Sequence, residues 1–196
     1  MCIKKFSRLV GAALVAVVCL TGVASAQNYR VGASVTATLS GGTLTIRGSG
    51  PMANYVSESE VEFAAPWWYD GKKVTRIIIE DGVTTIGASA FDGFRNLTSV
   101  TIPNSVSSIG SDAFVWCESL TTITIPSNVT SIGSGAFTGC TGLTSITVLT
   151  PTLLRINRDV FHGVDKTTAC LHVPADVIDA YKSAPIWGDF QCIKVL

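Results

Sequence analysis

The feature that most restricts this chain is a phrase it repeats. From Val74 to Val148 the sequence reads VTRIIIEDGVTTIGASAFDGFRN, LTSVTIPNSVSSIGSDAFVWCES, LTTITIPSNVTSIGSGAFTGCTG and then LTSITV, the opening of a fourth copy. The period is 23 residues: Phe91, Phe114 and Phe137 mark it, and Phe161 follows 24 later. Ile86, Ile109, Ile132 and Ile156 keep the same step. A unit this short cannot bury an apolar face by itself. A fixed period in this range therefore specifies a solenoid whose coils cover one another.

Each slot of the repeat has a physical reading. Leu97, Val100 and Ile102 recur as Leu120, Ile123 and Ile125, then as Leu143, Ile146 and Val148. Their alternation is that of a strand with one buried face, and stacked coils would pair these strands in parallel. Ser and Thr fill the outward positions, and Pro103 and Pro126 end the strand because Pro cannot donate to a ladder. A second apolar pair follows: Val83 and Ile86, Val106 and Ile109, Val129 and Ile132. Next stands Gly87, Gly110 or Gly133, with Asn157 in the fourth copy, a pair of residue types that predicts a left-handed corner. Ala90-Phe91, Ala113-Phe114, Ala136-Phe137 and Val160-Phe161 then turn inward, and the rings predict a stacked column.

The pattern L-x-x-V-x-I-P-x-x-V-x-x-I-G-x-x-A-F-x-x-C resembles the BspA-like leucine-rich repeat of bacterial surface proteins. The match is close over residues 74–148 and looser over 149–174. The resemblance implies a mainly β repeat solenoid, a right-handed superhelix of 23-residue coils. It also implies display on, or release from, the cell surface, with protein or host-surface binding in some members. GTLTIRGSGPMANY with APWWYDGKKV, and LHVPADVIDAYKSAPIWGDF, resemble the end units of the same family.

The segments outside the repeat divide the chain into a signal peptide (1–26), an N-terminal β cap (27–73), repeats (74–167) and a closing unit (168–196). Lys4, Lys5 and Arg8 precede an apolar run from Leu9 to Ala24, and Ala24-Ser25-Ala26 supplies small residues for cleavage after Ala26. The run is shorter than the roughly 20 residues a membrane helix needs, and no later segment is long enough. A lipid anchor on Cys19 is disfavoured by the bulk of Val18. Removing residues 1–26 takes away three cations, leaving eleven basic residues against fourteen acidic ones. No basic patch points to nucleic acid.

In the cap, Val31, Val35, Ala37 and Leu39, then Leu44 and Ile46 across Ser40-Gly41-Gly42, predict a β-hairpin. Glu58, Glu60 and Glu62 read as a charged edge or loop. Ala65-Pro66-Trp67-Trp68-Tyr69 is a dense aromatic stretch, in which Trp67 and Trp68 read as cap packing, with a sugar-stacking platform as the alternative. The closing unit reads as strand, short helix over Ala175–Ser183, and terminal strand from Cys192.

Cys117 and Cys140 share a slot with Phe94 and Val164, which marks them as packed free thiols. Cys170 and Cys192 flank the closing unit, and a disulfide between them would staple the last strand in place.

Nothing in the chain reads as an active site, a cofactor site or a metal site. His162 and His172 are isolated, the four remaining Cys lack zinc spacing, and neither a phosphate loop nor Gly-x-Ser-x-Gly occurs. Asp176 and Asp179 read as a solvated helix face. The expected function is non-enzymatic: an exported protein that binds a protein or a host or envelope component through outward rows of its strands. Those rows are Arg76, Ser99, Thr122 and Ser145, beside Ile78, Thr101, Thr124 and Thr147. A structural spacer in a surface complex, a glycan-binding module and an unrecognised secreted hydrolase or inhibitor are the other readings.

Overall fold

The computed structural model describes residues 26–55 and 65–196. The signal segment with Cys2 and Cys19, and Glu58, Glu60 and Glu62, lie outside the described residues. The chain winds as a mainly β solenoid of about five turns with one small helix near its C-terminus.

The cap supplies β1 (Gln27–Arg30), β2 (Val35–Ser40) and β3 (Thr43–Gly48), all antiparallel, then the short β4 (Gly50–Pro51). The expected hairpin is β2–β3. It turns at Gly41 and Gly42, whose φ values of 54° and 77° suit the two-residue turn that follows strand twist. β1 is a third strand beyond that hairpin.

Coil by coil there follow β5 (Arg76–Ile79) and β6 (Val83–Ile86), β7 (Ser99–Thr101) and β8 (Ser108–Ile109), β9 (Thr122–Ile125) and β10 (Ser131–Ile132). The chain ends with β11 (Ser145–Val148), β12 (Cys170–Val173), helix α1 (Ile178–Ser183) and β13 (Cys192–Val195). The first strands of the coils pair in parallel, and so do the second strands in the order β10-β8-β6-β4. β3 joins β5 in parallel, which docks the cap onto the first coil as one more strand.

The buried centre is the aromatic column. Phe91, Phe114, Phe137 and Phe161 are fully buried, with ring centroids 5.2, 5.5 and 5.5 Å apart along the column. The column runs on into both end units. Trp67 stacks on Phe91 at 5.8 Å, and Trp187 meets Phe161 at 5.3 Å. Each indole N–H is satisfied: Trp67 donates to the Ala90 carbonyl at 2.8 Å, and Trp187 to that of Leu154 at 2.7 Å. A buried Trp needs such a partner, so the two ends are closed by aromatic packing and a hydrogen bond together.

Two expectations need correction. Gly87, Gly110 and Gly133 do not have positive φ. A Cβ on Gly87 would overlap Ala53, one on Gly110 would overlap Gly87 and Ala88, and one on Gly133 would overlap Gly110 and Ser111. Glycine is needed there because the backbone of the preceding coil presses against it, not for a left-handed corner. The left-handed residues fall later in the coil: Ser89, Asp112 and Gly135 in one row, then Gly93, Trp116, Gly139 and Gly163 in the next. The second correction concerns the strand wall. No ladder joins β7 to β9, so the wall splits into two sheets. Val100 and Ile102, which point inward by their slot, are only partly buried at this gap, whereas Ile123 and Ile125 are buried. The two strand segments, LTSVTIP and LTTITIP, differ only by Ser99 against Thr122 and Val100 against Ile123, and nothing in them accounts for the break.

The fourth coil also departs from the repeat, as its degraded sequence announces. Its segment around Thr150–Leu154 is drawn towards the closing unit: the Tyr181 hydroxyl accepts from the Leu154 N–H at 3.1 Å and meets the Thr150 hydroxyl at 3.1 Å. This coil has no second strand, so β10 ends its sheet. An open groove lined by Val129, Thr130, Leu153 and Leu154 marks the departure.

Candidate functional site

The outward rows of the strand wall assemble in register, in two blocks. Arg76 lies opposite Ser99 and Ile78 opposite Thr101. Thr122 lies opposite Ser145 and Thr124 opposite Thr147. The gap between β7 and β9 keeps Ser99 out of register pairing with Thr122, and Thr101 with Thr124. Thr43 and Thr45 extend the first block through β3, while Cys170 and His172, then Cys192 and Lys194, extend the second. Arg76, Thr101, Thr122 and Thr124 are exposed, and Ile78, Ser99, Ser145 and Thr147 are half-buried by their neighbours. The Ser145 hydroxyl lies 3.4 Å from His172 Nδ1. At the cap end Arg47 and Glu80 pair at 2.8 Å, an exposed ion pair of small energetic weight. The wall is therefore rigid, rich in hydroxyls and nearly uncharged.

Cys170 and Cys192 face each other across β12 and β13 with Cα atoms 4.6 Å apart, and they form a disulfide. The bridge lies in the outward row, at its C-terminal end. Cys117 and Cys140 are free and buried, and each thiol donates to a carbonyl of the preceding coil: Cys117 to Phe91 at 3.4 Å, Cys140 to Phe114 at 3.1 Å. Burial pushes the Cys117 thiol well above its ordinary range, which makes it unreactive. Among the described residues no group of three or more His, Cys, Asp or Glu side chains could hold a metal ion.

The aromatic stretch at the cap splits by position. Trp67 is buried in the column, as cap packing requires, whereas Tyr69 is 74% exposed with Trp68 against it at 5.1 Å. Trp116, 49% exposed, is a second outward aromatic, and its place in the repeat went unused in the sequence reading. The signal was visible there: the other copies with Phe in the column carry Gly in that slot, at 93, 139 and 163. Trp116 adopts φ 57°, a left-handed conformation that costs an ordinary residue about 1–2 kcal/mol. Its benzo ring covers Gly139, where a Cβ would collide with Cε3. Four residues earlier, Asp112 places Oδ1 where a Cβ of Gly135 would be. Burial and the nearby Asp159 raise the Asp112 carboxyl above the usual carboxylate range. Asp159 itself is held low, first by the hydroxyl of Ser134, which donates to it.

Comparison with known proteins places this geometry. Residues 66–184 match the BspA type leucine rich repeat region in six copies, starting at the segment that carries Trp67. A leucine-rich repeat protein from Eubacterium ventriosum is 24% identical, over 63% of this chain and 44% of that one, with a TM-score of 0.46. The pneumococcal vaccine antigen PcpA is 18% identical over 63% of this chain and 36% of its own, with a TM-score of 0.43. The leucine rich repeat protein of T. pallidum, TpLRR, is 18% identical over 74% and 85% respectively, at 0.35. The chain thus spans less than half the length of the first two. No curated protein sequence matches it. With the repeat found over more than half its length, the chain belongs to the BspA-type leucine-rich repeat family.

Proposed function

We propose that the protein is exported, loses residues 1–26, and binds another macromolecule, a protein or an envelope component, through its hydroxyl-rich strand wall without catalysing a reaction. Export is supported by the basic and apolar N-terminal segment with its small-residue site. No helix among the described residues is long and apolar enough to cross a membrane. The observation that carries the binding reading is the register of the outward rows: Arg76 and Ile78 beside Ser99 and Thr101, then Thr122 and Thr124 beside Ser145 and Thr147. A preformed face of this kind loses little conformational entropy on binding, because its side chains are already ordered by their neighbours. With one cation in the two rows, attachment depends on shape and hydrogen bonds and responds weakly to salt.

The test is an array of matrix and envelope proteins, probed with the chain from Gln27 and with a Thr101→Glu, Thr124→Glu double variant. A specific partner that the double variant loses, and that persists when salt is raised, is the expected result. A partner retained equally by the double variant places binding elsewhere. If no partner is captured, the wall is a solvated exterior and the spacer reading takes its place.

A further inference from the structure

Among the described residues, the exposed aromatic side chains fall in a single row of the repeat. Tyr69 stands two residues after Trp67, and Trp116 stands two after Phe114; Gly93, Gly139 and Gly163 hold the same place after Phe91, Phe137 and Phe161. Among the large apolar side chains that are exposed, these two are the aromatic ones. Two coil steps separate them along the column, 5.8 Å from Trp67 to Phe91 and 5.2 Å from Phe91 to Phe114, and the coil between carries bare Gly93.

The fold does not require Trp116. A left-handed backbone favours glycine, and glycine is what three sister slots use. A large indole at this point adds strain and leaves apolar surface in water. A strained, outward indole of this kind points to a contact made through its free surface. The surroundings narrow the class of ligand. Gly139 beneath the ring has no side chain to lift it, so the indole is held against the backbone, with its amide bonded to the Thr138 carbonyl at 2.8 Å. The carboxylate of Asp112 beside it carries no hydrogen bond or ion pair from the described residues and is an open acceptor. Nearby Arg95 and Glu118 neutralise one another at 3.2 Å, while Asp112 and the neighbouring Asp159 leave a local negative charge that suits hydroxyl donors.

From these we infer that Tyr69, Trp116 and Asp112 form a carbohydrate-binding subsite, on the turn side of the coils and separate from the strand wall. The flat C–H faces of pyranose rings would stack on the two aromatics, and Asp112 would accept hydrogen bonds from sugar hydroxyls. The two coil steps between them, 5.8 and 5.2 Å along the column, make a rise that a di- or trisaccharide covers. β-1,4-linked chains fit best, because their equatorial substituents leave both ring faces flat.

Cellotetraose and N-acetylchitotetraose are the probes, read by tryptophan fluorescence and by calorimetry on the chain from Gln27. Trp67 and Trp187 are buried, so a ligand-induced change reports on Trp116 and on the half-buried Trp68 beside Tyr69, and Trp116→Gly separates the two. At least one probe is expected to shift the fluorescence. Trp116→Gly should weaken its binding about ten-fold or more while leaving the melting temperature unchanged or raised, since it restores the residue of the sister slots. Tyr69→Ala and Asp112→Asn should each weaken it several-fold. The inference is overturned if neither oligosaccharide binds, if Trp116→Gly binds as well as the natural chain, or if an arginine- and lysine-rich peptide competes for the same ring with higher affinity. None of these outcomes bears on the strand wall, whose double variant should bind the oligosaccharides unchanged.

Discussion

The aromatic column and the strand wall are built from the same coils at the same period, yet they behave differently. The column is unbroken from Trp67 to Trp187, with neighbouring rings between 5.2 and 5.8 Å apart. The wall splits between β7 and β9. The second-strand sheet β10-β8-β6-β4 runs on past that break, so the interruption is the wall's alone, whereas the buried rings span every coil. Backbone ladders follow where they can, because each hydrogen bond replaces one with water and adds little net stability, whereas each ring removes a large apolar surface from it.

The sharpest way to break that contrast is to truncate the column. Phe114→Ala should cost about 3–5 kcal/mol in urea unfolding, while Thr124→Ala in the wall should stay within about 0.5 kcal/mol. Equal costs would mean that the column is not the main support. The end units come next. Replacing Cys170 and Cys192 by Ser opens a loop with a sequence separation of 22 and should cost roughly 3 kcal/mol. Reduction of the natural chain should lower its melting point to that of the double variant, and an unreduced mass showing two free thiols there would contradict the bridge. Tyr181→Phe removes the hydroxyl that holds the irregular Thr150–Leu154 backbone and should cost about 1–3 kcal/mol.

The smallest effect is one of pH. Asp112 has its folded pKa raised, so the folded chain binds protons more readily there than the unfolded chain does. That charge therefore disfavours folding at neutral pH, and the penalty fades as pH falls through the carboxylate range. Asp112→Asn should gain no more than about 0.5 kcal/mol near pH 7, because water still screens this half-buried site, and the gain should vanish in acid. Asp159 runs the other way: its lowered pKa stabilises above the carboxylate range and is lost as pH falls.

The column was legible because Phe recurs at a fixed step and nothing else in the unit is as large. The strand wall was legible from the alternation after Leu97, Leu120 and Leu143, and the closing helix from the spacing of Val177, Ile178 and Tyr181. The corner was misplaced because glycine answers to two physical demands, positive φ and close approach, and a single sequence does not say which. Gly110 meets the second and Gly139 the first. The β7–β9 gap left no trace in two closely similar strand segments, LTSVTIP and LTTITIP. For the candidate sites, the outward rows followed from strand alternation. The row of Tyr69 and Trp116 was hidden because Tyr69 belongs to the cap, where the period is disguised, and is aligned only once Trp67 is seen on Phe91.

Hydrogen exchange of three backbone amides tests the central claim most directly. Phe91, Phe114 and Phe137 donate to the carbonyls of Ala113, Ala136 and Val160 on the next coils, each at 2.9 Å, with the column rings beside them. If the column sets the solenoid, these amides exchange last and together, at the rate of global unfolding. If they exchange before wall amides such as that of Cys170, which donates to Thr144 at 2.8 Å, the strands carry the fold and the column only fills it.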